Sequence, residues 1–561
     1  MTYSLQEFTP KTWTCLKEGY SLNQFFKDLM AGFTVGAISI PLTMAFAIAS
    51  GVSPEKGLIT GIIAGFIISL LGGSRVQIGG PTGAFAVIVY SVVVRHGIDG
   101  LILATFLAGL IMVFLAFSRA GVLLKFIPYS VTTGFTAGIA LTIFSSQVKD
   151  LFGLHMESLP IDFIDKWHAY FYAASTYTPW AITISAFCLF LLFGMKRFFP
   201  KWPAPLFTVV LGTGIVWAFS LPVETVQTKF GEIPSDLISF ALPDFSLQQL
   251  QAVFPQAITI ALLGSIESLI SAVIADGITG HRHRSNTELF AQGIANIGSS
   301  LFGGIPATGA IARTAANIRL GAKTPVAGMF HSITMLILVL FFASIASLIP
   351  LPVLASILVY VAWNMSEIEH IKTILKTNKS DTFILLLTFG LTVLIDLTVA
   401  VQAGVLIAAI FFMKKMADTT SMKVCQILIH QEDNPHLKDS DTLLRKDIPE
   451  GIVVFEIDGP LFFGSAFTLT EPLSKIAPSP KVFILRLHKV PLIDASGAHS
   501  LKDFAEQCSR KGVSLILSGV DDKKADLLLR SGVEKKLPSA SIFHTFHDAL
   551  QEAKARLLNQ S

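Results

Sequence analysis

The chain has 561 residues, of which 52% are hydrophobic and only 14% are charged, and its mean hydropathy is +0.63. A water-soluble domain does not need so much apolar surface, so most of the chain is predicted to lie in a lipid bilayer as a polytopic membrane protein. The net charge of +3 is small and dispersed, which excludes a nucleic-acid partner. Four cysteines occur singly, so neither a metal centre nor a disulfide framework is expected: Cys15, Cys188, Cys425 and Cys508.

Residues 1–27 are mixed and polar and lack the pattern of a cleaved signal, so they are predicted to form a cytoplasmic N-terminal segment. From residue 28 to residue 416 apolar stretches alternate with short polar joints, which predicts a transmembrane domain. Fourteen stretches are present, and several are shorter than the roughly 20 residues that a full span requires. They lie near residues 28–50, 57–72, 81–94, 101–117, 121–146, 179–195, 204–221, 255–276, 288–302, 307–319, 325–347, 350–364, 381–396 and 399–413.

Lysine and arginine are distributed unevenly over the joints. If the N-terminus is inside, the inner joints carry thirteen of these residues and the outer joints carry five. Cytoplasmic loops hold the excess of positive charge in membrane proteins, so the pattern predicts fourteen segments with both termini in the cytoplasm. The expected location is the inner (cytoplasmic) membrane.

One short phrase occurs twice in this domain. Residues 79–86 read GGPTGAFA and residues 303–312 read GGIPATGAIA, and the phrases fall at the third and tenth segments. Fourteen segments divide into two sets of seven, about 28–221 and 255–416. Because seven is odd, the second set starts on the opposite side of the membrane from the first, so the two halves have opposite orientations. Interruptions at corresponding places predict an inverted repeat whose binding site is built from broken helices.

A helix that begins inside the membrane exposes unpaired amide groups and the positive end of its dipole, which together favour an anion. Two such starts that face each other would form an anion site. The alternative is that the glycines and prolines only kink or pack the helices. The candidate ligand-binding residues of the two phrases are Thr82, Gly83, Ala84, Thr308, Gly309 and Ala310.

Arg313 follows the second phrase inside an apolar run, where a cation is costly and usually faces a cavity or a partner. It is the candidate fixed charge for an anionic substrate. The alternative is an arginine near a helix end that reaches the membrane interface, as is expected of Arg319. Phe46, in the first segment, is a candidate wall of the pocket, although a lone aromatic residue also fits ordinary packing.

Glu267 lies deep in the eighth segment. Gly264, Glu267 and Ser271 share one helical face at spacings of three and four residues. A carboxylate in mid-membrane that gains and loses a proton is a candidate coupling group, and Ser271 is assigned to the same proton-coupling site. The alternative is a structural carboxylate at a broken helix.

Residues 421–561 have mixed composition and short apolar runs, which predicts a soluble domain. Strands are predicted at 424–429, 452–457, 482–487 and 513–517, and helices at 465–477, 497–511, 521–532 and 544–557. Their alternation indicates an α/β fold. The string LIDASGAHSL at 492–501 predicts a strand end followed by a helix that begins near Ser496.

These residues resemble the SulP anion transporters, the bacterial relatives of solute carrier family 26, over nearly the full chain. The resemblance is carried by PLTMAFAIASGV at 41–52, IGGPTGAFAV at 78–87, SIESLISAVIADGITG at 265–280, the second phrase through ARTAAN at 312–317, and a carboxy-terminal STAS domain with DASG at 494–497. The resemblance implies a core domain with the anion site between helices three and ten, a gate domain, elevator-like movement and a homodimer. By position, the residues of the two phrases, Arg313 and Phe46 match the family's anion pocket, and Glu267 with Ser271 match its coupling positions.

Two departures from the family pattern bear on mechanism. Members that resemble sodium-driven bicarbonate transporters have Asp and Thr where this chain has Glu267 and Ser271, which favours proton coupling here. The serine that is phosphorylated in soluble STAS proteins corresponds to Ala495, so modification of Ser496 is not expected. The helix-eight string and YVAWNMSE at 360–367 are most similar to carriers of C4-dicarboxylates.

The sequence therefore predicts a secondary transporter that takes up a small anion with protons, the anion being a C4-dicarboxylate, sulfate or bicarbonate. The alternatives are an uncoupled exchanger or channel, a nucleobase permease of the same plan, and a sensor whose STAS domain binds a cytosolic protein. No hydrolytic triad, phosphate loop or metal cluster occurs, so no enzyme activity and no cofactor are predicted.

Overall fold

A computed structural model describes residues 8–121, 128–156, 159–199, 202–232, 240, 242–243, 245–395, 397–424, 448–464, 480–539 and 541–559. The chain divides into two compact units, Met1–Val405 and Leu406–Ser561. The first unit is helical apart from two very short strands, and the second is built around a five-stranded sheet.

The helices of the first part of the chain are α1 (Lys11–Lys17), α2 (Leu22–Ala49), α3 (Pro54–Leu71), α4 (Gly83–Phe117), α5 (Tyr129–Phe152), α6 (Phe163–Ala173), α7 (Pro179–Phe198), α8 (Ala204–Ala218), α9 (Val226–Phe230), α10 (Leu247–Thr279), α11 (Ser285–Leu301), α12 (Ile311–Arg319), α13 (Val326–Ser347), α14 (Leu351–Met365), α15 (Ile368–Lys376), α16 (Lys379–Leu394) and α17 (Leu397–Thr419). Strands β1 (Gly79–Gly80) and β2 (Thr308–Gly309) precede α4 and α12. Within the described residues, nine helical stretches are long and apolar enough to cross a membrane.

All fourteen predicted segments overlap helices. The third and fourth, 81–94 and 101–117, fall on the two parts of α4, which are separated by a kink at the non-helical Gly97, where φ is 71°. Glycine adopts this positive φ without the steric cost that a side chain would add. The mostly helical fold is as predicted, while the number of membrane crossings and their orientation remain predictions.

Close helix packing in the first unit depends on small residues. Helix α4 packs along α10 and α11, and α2 packs along α13 and α3. A Cβ atom on Gly109 of α4 would lie 2.7 Å from the carbonyl oxygen of Gly293 in α11, and the reverse distance is also 2.7 Å. Such approach is the usual way for helices to associate in lipid, where apolar contact alone gives no driving force. It holds α4 close beside α11.

The second unit contains the predicted α/β domain. Its sheet has the order β3 (Ser421–Val424), β4 (Ile452–Asp458), β5 (Val482–Arg486), β6 (Ser514–Ser518) and β7 (Ile542–Phe543). The β3–β4 pair is antiparallel and the remaining pairs are parallel. Three predicted strands are found as expected, the two-residue β7 was not predicted, and most of the strand predicted at 424–429 lies outside the described residues.

Helices α18 (Ala495–Arg510), α19 (Asp522–Arg530) and α20 (Phe546–Asn559) cover this sheet. Phe483 points to the face covered by α18 and α19, and its neighbour Ile484 points to the face covered by α20. Alternation along a strand buried on both sides explains the continuous apolar runs that were visible in the sequence. The helix predicted at 465–477 lies outside the described residues.

The DASG string begins α18 through its aspartate. The side chain of Asp494 is the N-cap and accepts hydrogen bonds from the amides of Gly497, at 2.7 Å, and Phe463, at 3.2 Å. The helix starts at Ala495, and Ser496 is its second residue, with an exposed side chain. In this structure the string caps the start of α18, one residue before the position near Ser496 at which the sequence predicts the helix to begin.

Substitution of Asp494 by alanine is expected to destabilise this unit by about 1 kcal/mol, because a lost N-cap costs that much in other helices. Hydrogen exchange of the α18 amides in the intact protein measures the effect. Ser496→Ala is the control and should leave exchange unchanged, since its exposed hydroxyl does not cap the helix. Equal exchange in both variants would show that the cap contributes little.

Candidate anion-binding site at two helix starts

The two copies of the repeated phrase meet in the structure. Strands β1 and β2 pair antiparallel, with Gly79 opposite Gly309 and Gly80 opposite Thr308. The amide of Ala310 adds a hydrogen bond to the carbonyl oxygen of Ile78, at 2.8 Å. The starts of α4 and α12, which are more than 220 residues apart in the sequence, are therefore held side by side.

Corresponding amides of the two phrases differ in their hydrogen bonds. The structure records no hydrogen-bond partner among the described residues for the amides of Gly83 and Ala84. By contrast, the Gly309 amide donates to Ser268 Oγ at 3.1 Å, and the Ala310 amide is bonded to Ile78. Helix α12 begins only at Ile311. Within the described residues the amides of Gly83 and Ala84 are thus unpaired, as are those of Ile311 and Ala312 at the start of α12, whereas the amides of Gly309 and Ala310, which we expected to face a ligand, bond to the protein.

Arg313 is buried between the two starts. Its side chain is only 4% exposed, and Nη2 donates to the carbonyl oxygen of Pro81. No partner is found for Nη1 within the described part of the chain, and a Cβ atom on Gly80 would lie 2.5 Å from it. Arg319, on the same helix, is exposed. Arg313 therefore does not extend to a helix end, and its guanidinium group keeps a free donor beside the first phrase.

Glu267 contacts the first phrase directly. Thr82, the residue before α4, donates its hydroxyl to Glu267 Oε2 at 3.1 Å instead of capping its own helix. The Glu267 side chain is 8% exposed, and the structure records no cation paired with it among the described residues. A carboxyl group on α10 is thus joined to the start of α4 by one hydrogen bond.

The second phrase is fastened to the same helix. The Thr308 hydroxyl lies 2.7 Å from Ser268 Oγ and donates to the carbonyl oxygen of Gly264 at 3.0 Å. Ser271 donates to Thr314 Oγ1 at 3.4 Å, and Thr314 Oγ1 accepts the Ile78 amide at 3.0 Å. Helix α10 therefore contacts both broken helices, with Glu267 on one and Ser268 and Ser271 on the other.

Phe46 packs against the first turn of α4. A Cβ atom on Gly83 would lie 3.1 Å from Cε1 of Phe46 and 2.8 Å from Cδ1 of Ile143. The Phe46 side chain is buried. The ring therefore closes one side of the amide-bearing turn, and the absence of a side chain at residue 83 is what allows it to come so close.

Three polar residues that hold the site were not selected from the sequence. The side chain of Asn296 donates to the Ala307 carbonyl and accepts from the Ala307 amide, both at 2.9 Å. Thr60 Oγ1 accepts the Ile305 amide at 2.7 Å. Ser268 lies four residues after Gly264, on the helical face that was already singled out. The sequence feature that could have identified all three is a polar side chain inside an apolar segment.

Removal of the Asn296 clamp is expected to loosen the segment before α12. Asn296→Ala leaves a buried amide and a buried carbonyl unpaired at Ala307, which costs about 2–4 kcal/mol. Thermal unfolding of the purified protein, followed by tryptophan fluorescence, should show a lower midpoint. Ser300→Ala on the same helix is the control, because its hydroxyl only bonds the Ile297 carbonyl of its own helix. An unchanged midpoint for Asn296→Ala would contradict a structural role.

Comparison with known proteins identifies the family. The sulfate permease family profile matches residues 25–388, and the STAS domain profile matches residues 444–549. The chain belongs to the sulfate permease family. It is 40% identical to the putative sulfate transporter YvdB of Bacillus subtilis over 535 residues, which cover 95% of this chain and 98% of the relative. It is 27% identical to the bicarbonate transporter BicA of Picosynechococcus over 545 residues, 94% of each chain.

Solved structures of two anion transporters share the fold. The murine anion transporter Slc26a9 in its inward-facing state superposes with a TM-score of 0.85 at 18% identity, covering 97% of this chain and 94% of that one. The transmembrane domain of a cyanobacterial BicA gives a TM-score of 0.63 at 30% identity over 68% of this chain and 98% of that one. This sulfate permease family member is thus a multi-pass membrane protein of a transporter family, not an enzyme.

Proposed function

We propose that the protein transports a small anion across the membrane and binds it between the starts of α4 and α12. The observation that carries this proposal is the buried Arg313 guanidinium, whose Nη1 has no protein partner in the described residues. A buried cation without a counter-charge is costly, and an anion at this place would compensate it. The family relationship supports the same function, since YvdB is named a putative sulfate transporter and BicA a bicarbonate transporter.

The ligand would be held by groups from both halves of the chain. The first phrase supplies the amides of Gly83 and Ala84 at a helix start, α12 supplies Nη1 of Arg313, and Phe46 closes one side. Donors at a helix N-terminus and a guanidinium group suit carboxylate, sulfate and bicarbonate oxygens alike. The predicted preference for a C4-dicarboxylate rests on sequence similarity in α10 and at residues 360–367.

Coupling to protons is proposed to run through Glu267. Thr82, which precedes the turn with the unpaired amides, donates a hydrogen bond of 3.1 Å to Glu267 Oε2 and so connects the carboxyl group to that turn. Protonation of Glu267 removes a negative charge from the neighbourhood of the anion, so proton binding and anion binding would favour each other. Ser271 would act by joining the same helix to Thr314 at the start of α12.

The proposed working form is a homodimer in the cytoplasmic membrane, with both termini in the cytoplasm and the STAS domain available to a cytosolic protein. The excess of positive charge on the predicted inner joints supports this orientation.

Uptake by the purified protein in proteoliposomes tests the function. Labelled succinate, sulfate and bicarbonate are offered singly, and unlabelled succinate, fumarate, sulfate, bicarbonate and uracil compete. We expect accumulation of one of the anions, driven by an inward proton gradient, and no competition by uracil. Competition by uracil alone would favour a nucleobase permease, and anion flux without accumulation would favour an exchanger or channel.

A further inference from the structure

Each broken helix is preceded by a loop that begins with a pair of glycines. The string LLGG at 70–73 stands at the end of α3, and LFGG at 301–304 stands at the end of α11. The first loop continues through β1 to α4, and the second continues through β2 to α12. The two loops therefore occupy corresponding places in the two halves of the chain.

Glu288 of α11 holds the start of the first loop. Its Oε2 accepts the amides of Gly73, at 2.8 Å, and Ser74, at 3.0 Å, while Oε1 accepts Nε2 of Gln292 at 2.9 Å. The Glu288 side chain is 0% exposed. The amide of Arg284 adds a hydrogen bond to the Gly73 carbonyl at 3.0 Å. The loop before α4 is thus fastened to a helix of the other half of the chain.

Lys56 and Thr60 of α3 hold the start of the second loop. Nζ of Lys56 donates to the carbonyl oxygen of Gly303 at 3.1 Å, and Thr60 Oγ1 accepts the amide of Ile305 at 2.7 Å. These bonds again join the two halves of the chain. The arrangement is crossed, because α11 holds the loop before α4 and α3 holds the loop before α12.

The remaining side-chain bonds of the first loop cannot position it independently of the second phrase. The Asn317 side chain donates to the Val76 carbonyl at 2.9 Å, and the Ile78 amide donates to Thr314 Oγ1 at 3.0 Å. Asn317 and Thr314 both belong to α12, which is itself a broken helix. Helix α11, by contrast, is continuous and packs along both α3 and α4. Glu288 therefore connects the loop to the continuous part of the bundle.

We infer, on the basis of the proposed anion site, that Glu288 is a positioning residue for anion binding. By bonding two successive amides it keeps the first loop, and through β1 the turn of Gly83 and Ala84, in place beside Arg313. One carboxylate oxygen has two lone pairs and can accept both amides at once. Lys56 has the corresponding role for the second loop. Neither side chain touches the anion, and both act through the backbone that they hold.

Glu288→Ala is expected to weaken anion binding about tenfold, because two buried amides lose their acceptor and the loop relaxes. Glu288→Gln should bind the anion as the wild type does. Its side-chain oxygen still accepts both amides, and its new NH2 group faces Gln292, whose Oε1 has no partner among the described residues and can turn to accept it. Isothermal titration of the full-length protein with the transported anion measures the affinities.

Ser185→Ala on α7 is the control for general destabilisation. It removes a buried hydrogen bond to the Leu151 carbonyl, 3.0 Å long, and should lower the unfolding midpoint without changing the anion affinity. Wild-type affinity in Glu288→Ala would overturn the positioning role. Equal weakening in Glu288→Gln and Glu288→Ala would overturn it too, because the charge and not the acceptor geometry would then matter.

Hydrogen exchange followed by mass spectrometry tests the same role without an anion. Glu288→Ala should speed exchange in residues 73–86, and Lys56→Met, which keeps the chain length but loses the donor, should speed it in residues 302–312. The Lys56→Met result also serves if Glu288→Ala does not fold. Unchanged exchange in these segments would overturn the positioning role. Altered exchange together with no anion binding by the wild type would instead refute the proposed function.

Discussion

Replacing Arg313 by alanine is expected to weaken anion binding by about 2 kcal/mol or more, or roughly 30-fold, because this is the usual effect of removing one partner of a buried charge pair. The guanidinium group is buried, and among the described residues its recorded acceptor is the Pro81 carbonyl. Lysine at this position should restore part of the affinity, since it keeps the charge but loses the planar geometry that bonds Pro81 and a ligand together.

Isothermal titration of the purified protein with the transported anion measures the affinity, and proteoliposome uptake measures the rate. Arg319→Ala is the matched control, because Arg319 is on the same helix but exposed, and its removal should change affinity less than twofold or so. If Arg313→Ala bound the anion as wild type does, the anion site would not lie between these two helix starts.

Glu267→Gln is expected to separate anion movement from the proton gradient. Glutamine has the shape of the protonated carboxyl group and still accepts the Thr82 hydrogen bond, so the two helix starts should keep their arrangement. The variant cannot bind or release a proton at this position. We therefore expect exchange of labelled for unlabelled anion to continue, while accumulation driven by an inward proton gradient falls to the level without a gradient.

Two proteoliposome assays distinguish the outcomes: counterflow without a gradient, and uptake under an imposed pH difference. Asp276→Asn is the control on the same helix. Asp276 lies near the end of α10, where it bonds His283 Nδ1 at 2.6 Å, and its neutralisation should leave gradient-driven uptake in place. Gradient-driven uptake by Glu267→Gln equal to that of wild type would remove Glu267 from the coupling step.

The repeated phrase shows how far sequence reasoning reaches. Its two copies predicted an inverted repeat and the meeting of two interrupted helices, and the pairing of Gly79 with Gly309 brings them together. The sequence does not predict which of the individual amides form hydrogen bonds within the protein. The Gly309 and Ala310 amides are bonded to Ser268 and Ile78, 41 and 232 residues away in the chain, and no local pattern specifies such partners.

Helix α10, which contains the eighth predicted segment, shows the same limit of sequence reasoning. Glu267 and Ser271 were selected because they share a face with Gly264, but Ser268 lies on that face too and makes more hydrogen bonds to the second phrase than Ser271 does. Periodicity identifies which residues share a face. It does not say which neighbour each of them contacts, because that depends on the distance and rotation of the opposing helix.

The sequence alone determined the membrane class, the places of the apolar segments, the repeated interruption and the α/β nature of the second unit, because hydrophobicity and its period follow directly from residue order. Only the tertiary structure decided that Thr82 bonds Glu267, that Asn296 clamps Ala307, and that Arg313 turns inward to Pro81 with Nη1 unpaired among the described residues. These contacts join residues between 11 and 232 positions apart. They exist because buried polar groups must find partners wherever the packing of helices places them.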